Sequence, residues 1–234
     1  AKDIKANSLT FGLDKVSENL GVKGLAFRIG SDNVDVGTKG SNLDANTYNI
    51  TYYSTSPIEN NTKYMDTIIG IGKIRSKILT VVNDNNFKGV RDGQQIYVSR
   101  KIKDEIKKNN FTFIPSAQVD LGHTILKKYS ESGNLGLSFG NQHVRTRNLR
   151  GAIAFYEDLS NEKISIKRHG KLEYLADLYK SSSLEYNYNS GGSLNKTRLR
   201  PVARHNLNGE IGLDIVLPDS YSVFVVYERS QAFD

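Results

Sequence analysis

Along most of this chain apolar side chains recur at every second position, the period at which successive residues of a β-strand face opposite sides. Residues 8–15 set Leu9, Phe11 and Leu13 against Thr10, Gly12 and Asp14; residues 22–30 set Leu25, Phe27 and Ile29 against Ala26 and Arg28. Residues 46–53 oppose Tyr48, Ile50 and Tyr52 to Thr47, Asn49 and Thr51, residues 63–73 oppose Met65, Ile69 and Ile71 to Asp66, Gly70 and Gly72, and residues 94–101 add a weaker strand with Ile96 and Val98. The second half repeats the pattern. Residues 111–125 place Val119 and Leu121 opposite Gln118 and Asp120, residues 148–156 place Leu149, Ile153 and Phe155 opposite Arg150, and residues 171–180 place Leu172, Tyr174 and Leu178 opposite Glu173 and Asp177. A long stretch, 197–217, ends with Ile211, Leu213 and Ile215 against Glu210, Gly212 and Asp214, and residues 221–228 close with Val223, Val225 and Tyr227 against Glu228. Ten strands are thus readable from pattern alone.

The connectors carry a second signal. Short links at 16–21, 54–62, 102–110 and the turn at Pro218 and Asp219 alternate with long polar ones at 31–45, 74–93, 127–147 and 181–196. Up-and-down barrels of bacterial outer membranes have this form, with short periplasmic turns on one rim and long extracellular loops on the other. A soluble sandwich has no reason to sort loop length by parity. Residues 157–170 break the rule, being long on the short rim, and Ile164 and Ile166 carry the strand pattern into them. Pro57 and Pro218 fall in short connectors, where a missing amide donor costs nothing. The expected fold is all-β, an antiparallel up-and-down transmembrane β-barrel forming a single domain over residues 1–234.

Composition agrees. Thirteen Tyr and nine Phe without Trp, and only four Pro, suit numerous short strands. The net charge of +7 is scattered instead of gathered in one basic block, which argues against a nucleic-acid face. The absence of cysteine excludes disulfide scaffolds, thiol catalysis and cysteine-bound zinc. No apolar run approaches the roughly 20 residues of a spanning helix, a test that a barrel escapes because its strands average lipid-facing and lumen-facing residues.

The residues also resemble a family. The opening "SLTFGLDKVSENLGVKGLAFRIGSDNVDVGTKGSNLDANTYNITYY", the glycine-spaced "KYMDTIIGIGKI", the segment "FTFIPSAQVDLGHTILKKYSESG" with Pro115, Tyr129, Glu131 and Gly133, and "LNGEIGLDIVLPDSYSVFVVYERS" with Gly212, Asp214 and Tyr227 are similar, in this order, to the C-terminal translocator domain of autotransporters, the type V secretion proteins. The resemblance implies a twelve-stranded barrel, of which the chain holds the second to the eleventh strand, with the first and last missing. It further implies a bacterial outer-membrane location, insertion by the barrel-assembly machinery, contact with lipid and lipopolysaccharide, and export of the protein's own passenger segment.

The chemistry to be expected is transport without bond-making. Asp14, Arg28, Asp66, Asp120, Arg150, Glu173, Asp177, Glu210, Asp214 and Glu228 are expected to line the lumen. They read either as the wall of a water-filled conduit or as charges that pair only to make a polar interior tolerable. Glu210 and Asp214 lack a nucleophile or His partner for acid–base work, so no enzyme is expected. His123, His143, His169 and His205 fall in separate segments without ligand spacing, and the loop "SDNVDVGTKGSNLD" has Leu43 where a calcium loop needs its Glu, so no metal or cofactor is expected. Tyr48, Tyr52, Tyr64, Tyr156, Tyr174, Tyr221 and Tyr227 lie near strand ends, as in the aromatic girdles of a barrel. The rival readings are a porin-like or adhesin barrel whose long loops bind a ligand, and a soluble β-sandwich binding module.

Overall fold

The computed structural model describes residues 3–17, 21–36, 39–59, 62–161, 164–179, 182–199, 204–216 and 222–233. Among them there are strands and turns and no helix. Ten strands form one antiparallel sheet in which nearly every strand pairs with its neighbour in sequence: β1 (Asp3–Ser17), β2 (Gly21–Val36), β3 (Ser41–Glu59), β4 (Lys63–Val82), β5 (Asn85–Asp104), β7 (Phe111–Leu126), β10 (Gln142–Asp158), β11 (Ser165–Asp177), β14 (His205–Val216) and β15 (Ser222–Phe233). A short β6 (Ile106–Lys108) prolongs the path of β5 against β7. β1 and β15 are the two edges of this sheet and are not paired with each other.

The strands are strongly tilted. Following hydrogen-bonded neighbours across the sheet, the row that starts at Lys15, near the lower end of β1, passes through Val119 and Leu149 and arrives at Phe233, the last residue of β15 on the upper rim. Such a stagger accompanies the strand tilt of a barrel wall.

The apolar face covers nothing. Leu9, Phe27, Ile50, Ile71, Ile96, Leu121, Leu149, Leu172 and Ile211, all on this face, are exposed, while the only buried hydrophobic residues among those described are Ala45 and Ala176. A soluble sandwich would bury these side chains against a second sheet, so that rival fails on its own terms. On β14 the outward set runs from Leu207 to Ile215, about 27 Å along the strand at 3.4 Å per residue. At a tilt near 40° that corresponds to about 20 Å in height, close to the apolar band of an outer-membrane barrel.

The strands exceed their sequence-based bounds, mostly on the upper rim, and this corrects the picture of long loops. β4 and β5 are 20 residues each and meet in a tight turn at Asn83 and Asp84, both with positive φ (48° and 63°). Two-residue hairpins require this backbone, which Asn and Asp tolerate best among non-glycine residues. Residues 74–93 are therefore a rigid ribbon standing above the apolar band, and 31–45 is likewise mostly strand. On the lower rim, β6 and β7 are joined by Asn109 and Asn110, and residues 157–170 prove to be strand at both ends, at 157–158 and 165–170. Pro57 lies within β3, beside a register shift, instead of in a connector. The stretch 197–217 divides into two strands, the second being β14. Pro218 and Tyr221 lie outside the described residues.

The two remaining upper loops fold into a second sheet, which sequence reading left as irregular chain. Its four strands, β8 (Tyr129–Ser130), β9 (Leu137–Phe139), β12 (Ser182–Tyr188) and β13 (Asn195–Leu199), run in the order β13, β12, β9, β8. This cap touches β5 and β10.

Candidate functional site

Strand alternation and the registers place all ten residues expected to line the lumen on the face opposite the apolar one. Six strands contribute to one hydrogen-bonded chain across this face. Ser99 of β5 donates to Asp120 of β7 at 2.6 Å, Gln118 donates to the same carboxylate at 2.7 Å, and Arg150 of β10 binds it at 2.8 Å. Arg150 also reaches Glu173 of β11 at 3.5 Å, Lys171 pairs with Glu173 at 2.7 Å, Asn208 of β14 donates to Glu173 at 3.5 Å, and Ser230 of β15 donates to Asn208 at 2.6 Å. Two cations facing two carboxylates leave this belt electrically balanced.

The other expected residues form smaller groups. Asp14 accepts a hydrogen bond from Tyr53 at 3.2 Å, and Asp66 stands 3.8 Å from Lys103. Contrary to the expectation from sequence, Glu210 and Asp214 do have a His partner: register sets His169 opposite Gly212, between Glu210 (3.6 Å) and Asp214 (3.7 Å). Glu210 is directly opposite Glu228 in register, a like-charge neighbour that His169 partly offsets. Asp177 accepts from the backbone of Tyr179 at 2.8 Å, and Arg28 belongs to none of these groups. Among the described residues no three His, Asp or Glu side chains are placed to hold a metal ion.

Small residues make room for the aromatic ones. A Cβ built on Gly24 would come 2.4 Å from Tyr53, and one on Gly70 would come 2.2 Å from Tyr97, whose hydroxyl meets Thr51 at 2.5 Å. Of the spaced glycines of "KYMDTIIGIGKI", Gly70 thus seats the Tyr97 ring against the wall and Gly72 makes room for the Asn49 and Gln95 side chains. The tyrosine girdle needs revision: Tyr48, Tyr52, Tyr174 and Tyr227 are exposed among the apolar residues, but Tyr64 and Tyr156 lie on the charged face, where Tyr64 meets Lys103 and Tyr156 packs on His169. The histidines are not all separate either. His123 and His143 stack on neighbouring strands with nitrogens 3.3 Å apart, a pairing visible only through register.

The cap is fastened to the projecting ribbon on its charged-face side. Arg91, buried, donates to Gln142 at 3.1 Å and to the carbonyls of Lys127 and Gly140 at 3.0 and 3.2 Å, and Gln142 donates onward to Ser182 at 2.9 Å. Glu131, also buried, accepts from Thr80 at 2.6 Å and from the amide of Leu137 at 3.1 Å. Tyr129 fills the space over Gly89, lies under Arg91 at 5.3 Å and stacks on Phe139 at 4.8 Å. Burial first, and the Glu131 carboxylate second, push its phenol up to about 12. The Tyr-x-Glu-x-Gly motif was the one sequence signal for this fastening: Gly133 completes it with φ +81° and a carbonyl that accepts from Asn189 at 2.8 Å.

Known proteins share this architecture. The structure aligns with the translocator domain of autotransporter NalP from Neisseria meningitidis at a TM-score of 0.72 and 12% identity, over 98% of this chain and 76% of that one. It aligns with the β-domain of the Bordetella autotransporter BrkA at a TM-score of 0.63 and 13% identity, over 98% and 84% respectively. At such identity these likenesses establish the fold. No curated protein sequence matches the chain. The family profile described as "Autotransporter beta-domain" matches residues 2–228, nearly the whole chain, and on that match the chain belongs to the autotransporter β-domain family.

Proposed function

We propose that this translocator domain sits in the bacterial outer membrane with its apolar face in hydrocarbon, and that its charged face encloses an aqueous path for the protein's own passenger. The observation that carries the reading is the separation of the two faces: an exposed, predominantly apolar side with no protein to cover it, interrupted by Arg100, and behind it a belt of paired charges. An unfolded segment moving along that belt meets paired polar groups, with apolar surface on the same face confined to side chains such as Ile68, Phe224 and Val226, and the balanced charges of the belt favour neither acidic nor basic stretches. The domain acts as a transport module, with insertion by the barrel-assembly machinery and lipopolysaccharide among its neighbours.

Closure belongs to the same proposal. In hydrocarbon each unsatisfied backbone group costs several kcal/mol, so the free edges of β1 and β15 call for partners. Two further strands, one beside each edge, give the twelve-stranded barrel, with residues 1–234 as part of a single domain. Export is tested by fusing a protease-sensitive reporter upstream of the domain in an outer-membrane bacterium. The reporter is expected at the cell surface, degraded by added protease in intact cells. A reporter retained in the periplasm while the barrel is folded in the membrane contradicts the export reading.

A further inference from the structure

On the outer wall the apolar band ends abruptly at Leu149 of β10. The next outward positions on that strand are Arg147, Arg145 and His143, at steps of about 7 Å. All three are exposed. The face of the cap turned away from the Gln142–Ser182 contact brings Lys196 and Arg198 of β13 and Glu185 of β12 beside them, and these line with His143 and Arg145 a polar cleft of about 730 Å³. Lys196 is neutralised by Glu185 at 2.9 Å. Among the described residues Arg145, Arg147 and Arg198 have no carboxylate within ion-pair distance. Two uncompensated guanidinium groups, Arg145 and Arg198, therefore face this cleft at the height where the hydrocarbon stops, with Arg147 one outward step below Arg145 on the strand.

We infer that this cleft is a binding site for a phosphorylated, multiply acylated glycolipid of the outer leaflet, its phosphates held by Arg145 and Arg198 and its acyl chains lying on the outward strip formed by Val119, Leu121 and Leu149. Charge complementarity selects the occupant. Guanidinium forks match phosphate oxygens in a bidentate way, and the placement at the boundary rejects a ligand without an apolar tail. The cap gains a role in this assignment, since β13 supplies half of the phosphate site from the loop sheet while β10 supplies the other half from the wall. Bound glycolipid ties the cap to the barrel.

The inference rests on the outer-membrane reading above, and the test separates the two. The intact protein is folded in detergent, placed in phosphatidylcholine nanodiscs and titrated with bisphosphorylated hexa-acyl lipid A, dephosphorylated lipid A and phosphatidylglycerol, with unheated and boiled samples run on gels in parallel. Wild type is expected to bind the bisphosphorylated lipid at least tenfold more tightly than either alternative, and Arg145→Gln with Arg198→Gln to lose that tenfold while keeping the fast-migrating unheated band. Equal binding of all three lipids, or unchanged binding by a double variant that keeps its band, overturns the site alone. A wild-type chain whose band never shifts overturns the barrel reading and the site with it.

Discussion

Ile71 and Arg150 show what each face demands of a single residue. Ile71 stands in the middle of the apolar band with nothing of the protein over it. Ile71→Arg therefore puts a charge into hydrocarbon and is expected to lower stability by about 2–4 kcal/mol in lipid vesicles, read from denaturant unfolding, whereas Thr10→Arg on the opposite face of β1 is expected to cost under about 1 kcal/mol. Arg150 holds two carboxylates whose side chains are largely covered, Asp120 and Glu173. Arg150→Ala leaves both without their shared cation and is expected to cost about 2 kcal/mol, less than a fully buried pair would because the face is wetted. Glu173 keeps Lys171 at 2.7 Å, so the charge left stranded is Asp120, and adding Asp120→Asn to that variant is expected to recover part of the loss in the same unfolding measurement.

At the level of elements, the cap and the tall ribbon are where reading from sequence stopped short. Period-two alternation is legible wherever one face of a strand is predominantly apolar and the other polar. Above the band one face of the ribbon packs on the cap through polar groups such as Thr80 and Arg91 and neither face is uniformly apolar, so "RSKILTVVNDNNFKGVRDG" shows no alternation and reads as a loop although it is a hairpin. The cap was hidden for the same reason, its strands being short and held by polar contacts through Arg91, Gln142 and Glu131. Which residues share the charged face followed from alternation, but their partners did not. Asp120 meets Arg150, and His123 meets His143, only once the register is known. The cap carries its own pH dependence. The Tyr129 phenol, raised to about 12 in the folded state against an ordinary 10.0, ionises more readily in the unfolded chain. Its contribution is fully present below pH 10 and is lost as pH rises through the folded value. Hydrogen exchange at residues 129–139 is accordingly expected to accelerate between about pH 10 and 12 beyond the intrinsic rate, and Tyr129→Phe is expected to remove that extra acceleration.

For the whole molecule the account depends on one partition, hydrocarbon outside and water inside, carried by ten tilted strands with opposite faces. The lack of native cysteine allows that partition to be read one residue at a time. Single substitutions Gln95→Cys, Ser99→Cys and Glu210→Cys on one face, and Ile96→Cys, Val98→Cys and Ile211→Cys on the other, are made in the folded protein in lipid bilayers and exposed to a membrane-impermeant thiol reagent admitted to both sides. The account expects the first three to react and the last three to be protected, with strict alternation between neighbours on β5. Equal reaction at all six positions, or protection of Gln95, Ser99 and Glu210 with labelling of Ile96, Val98 and Ile211, contradicts it.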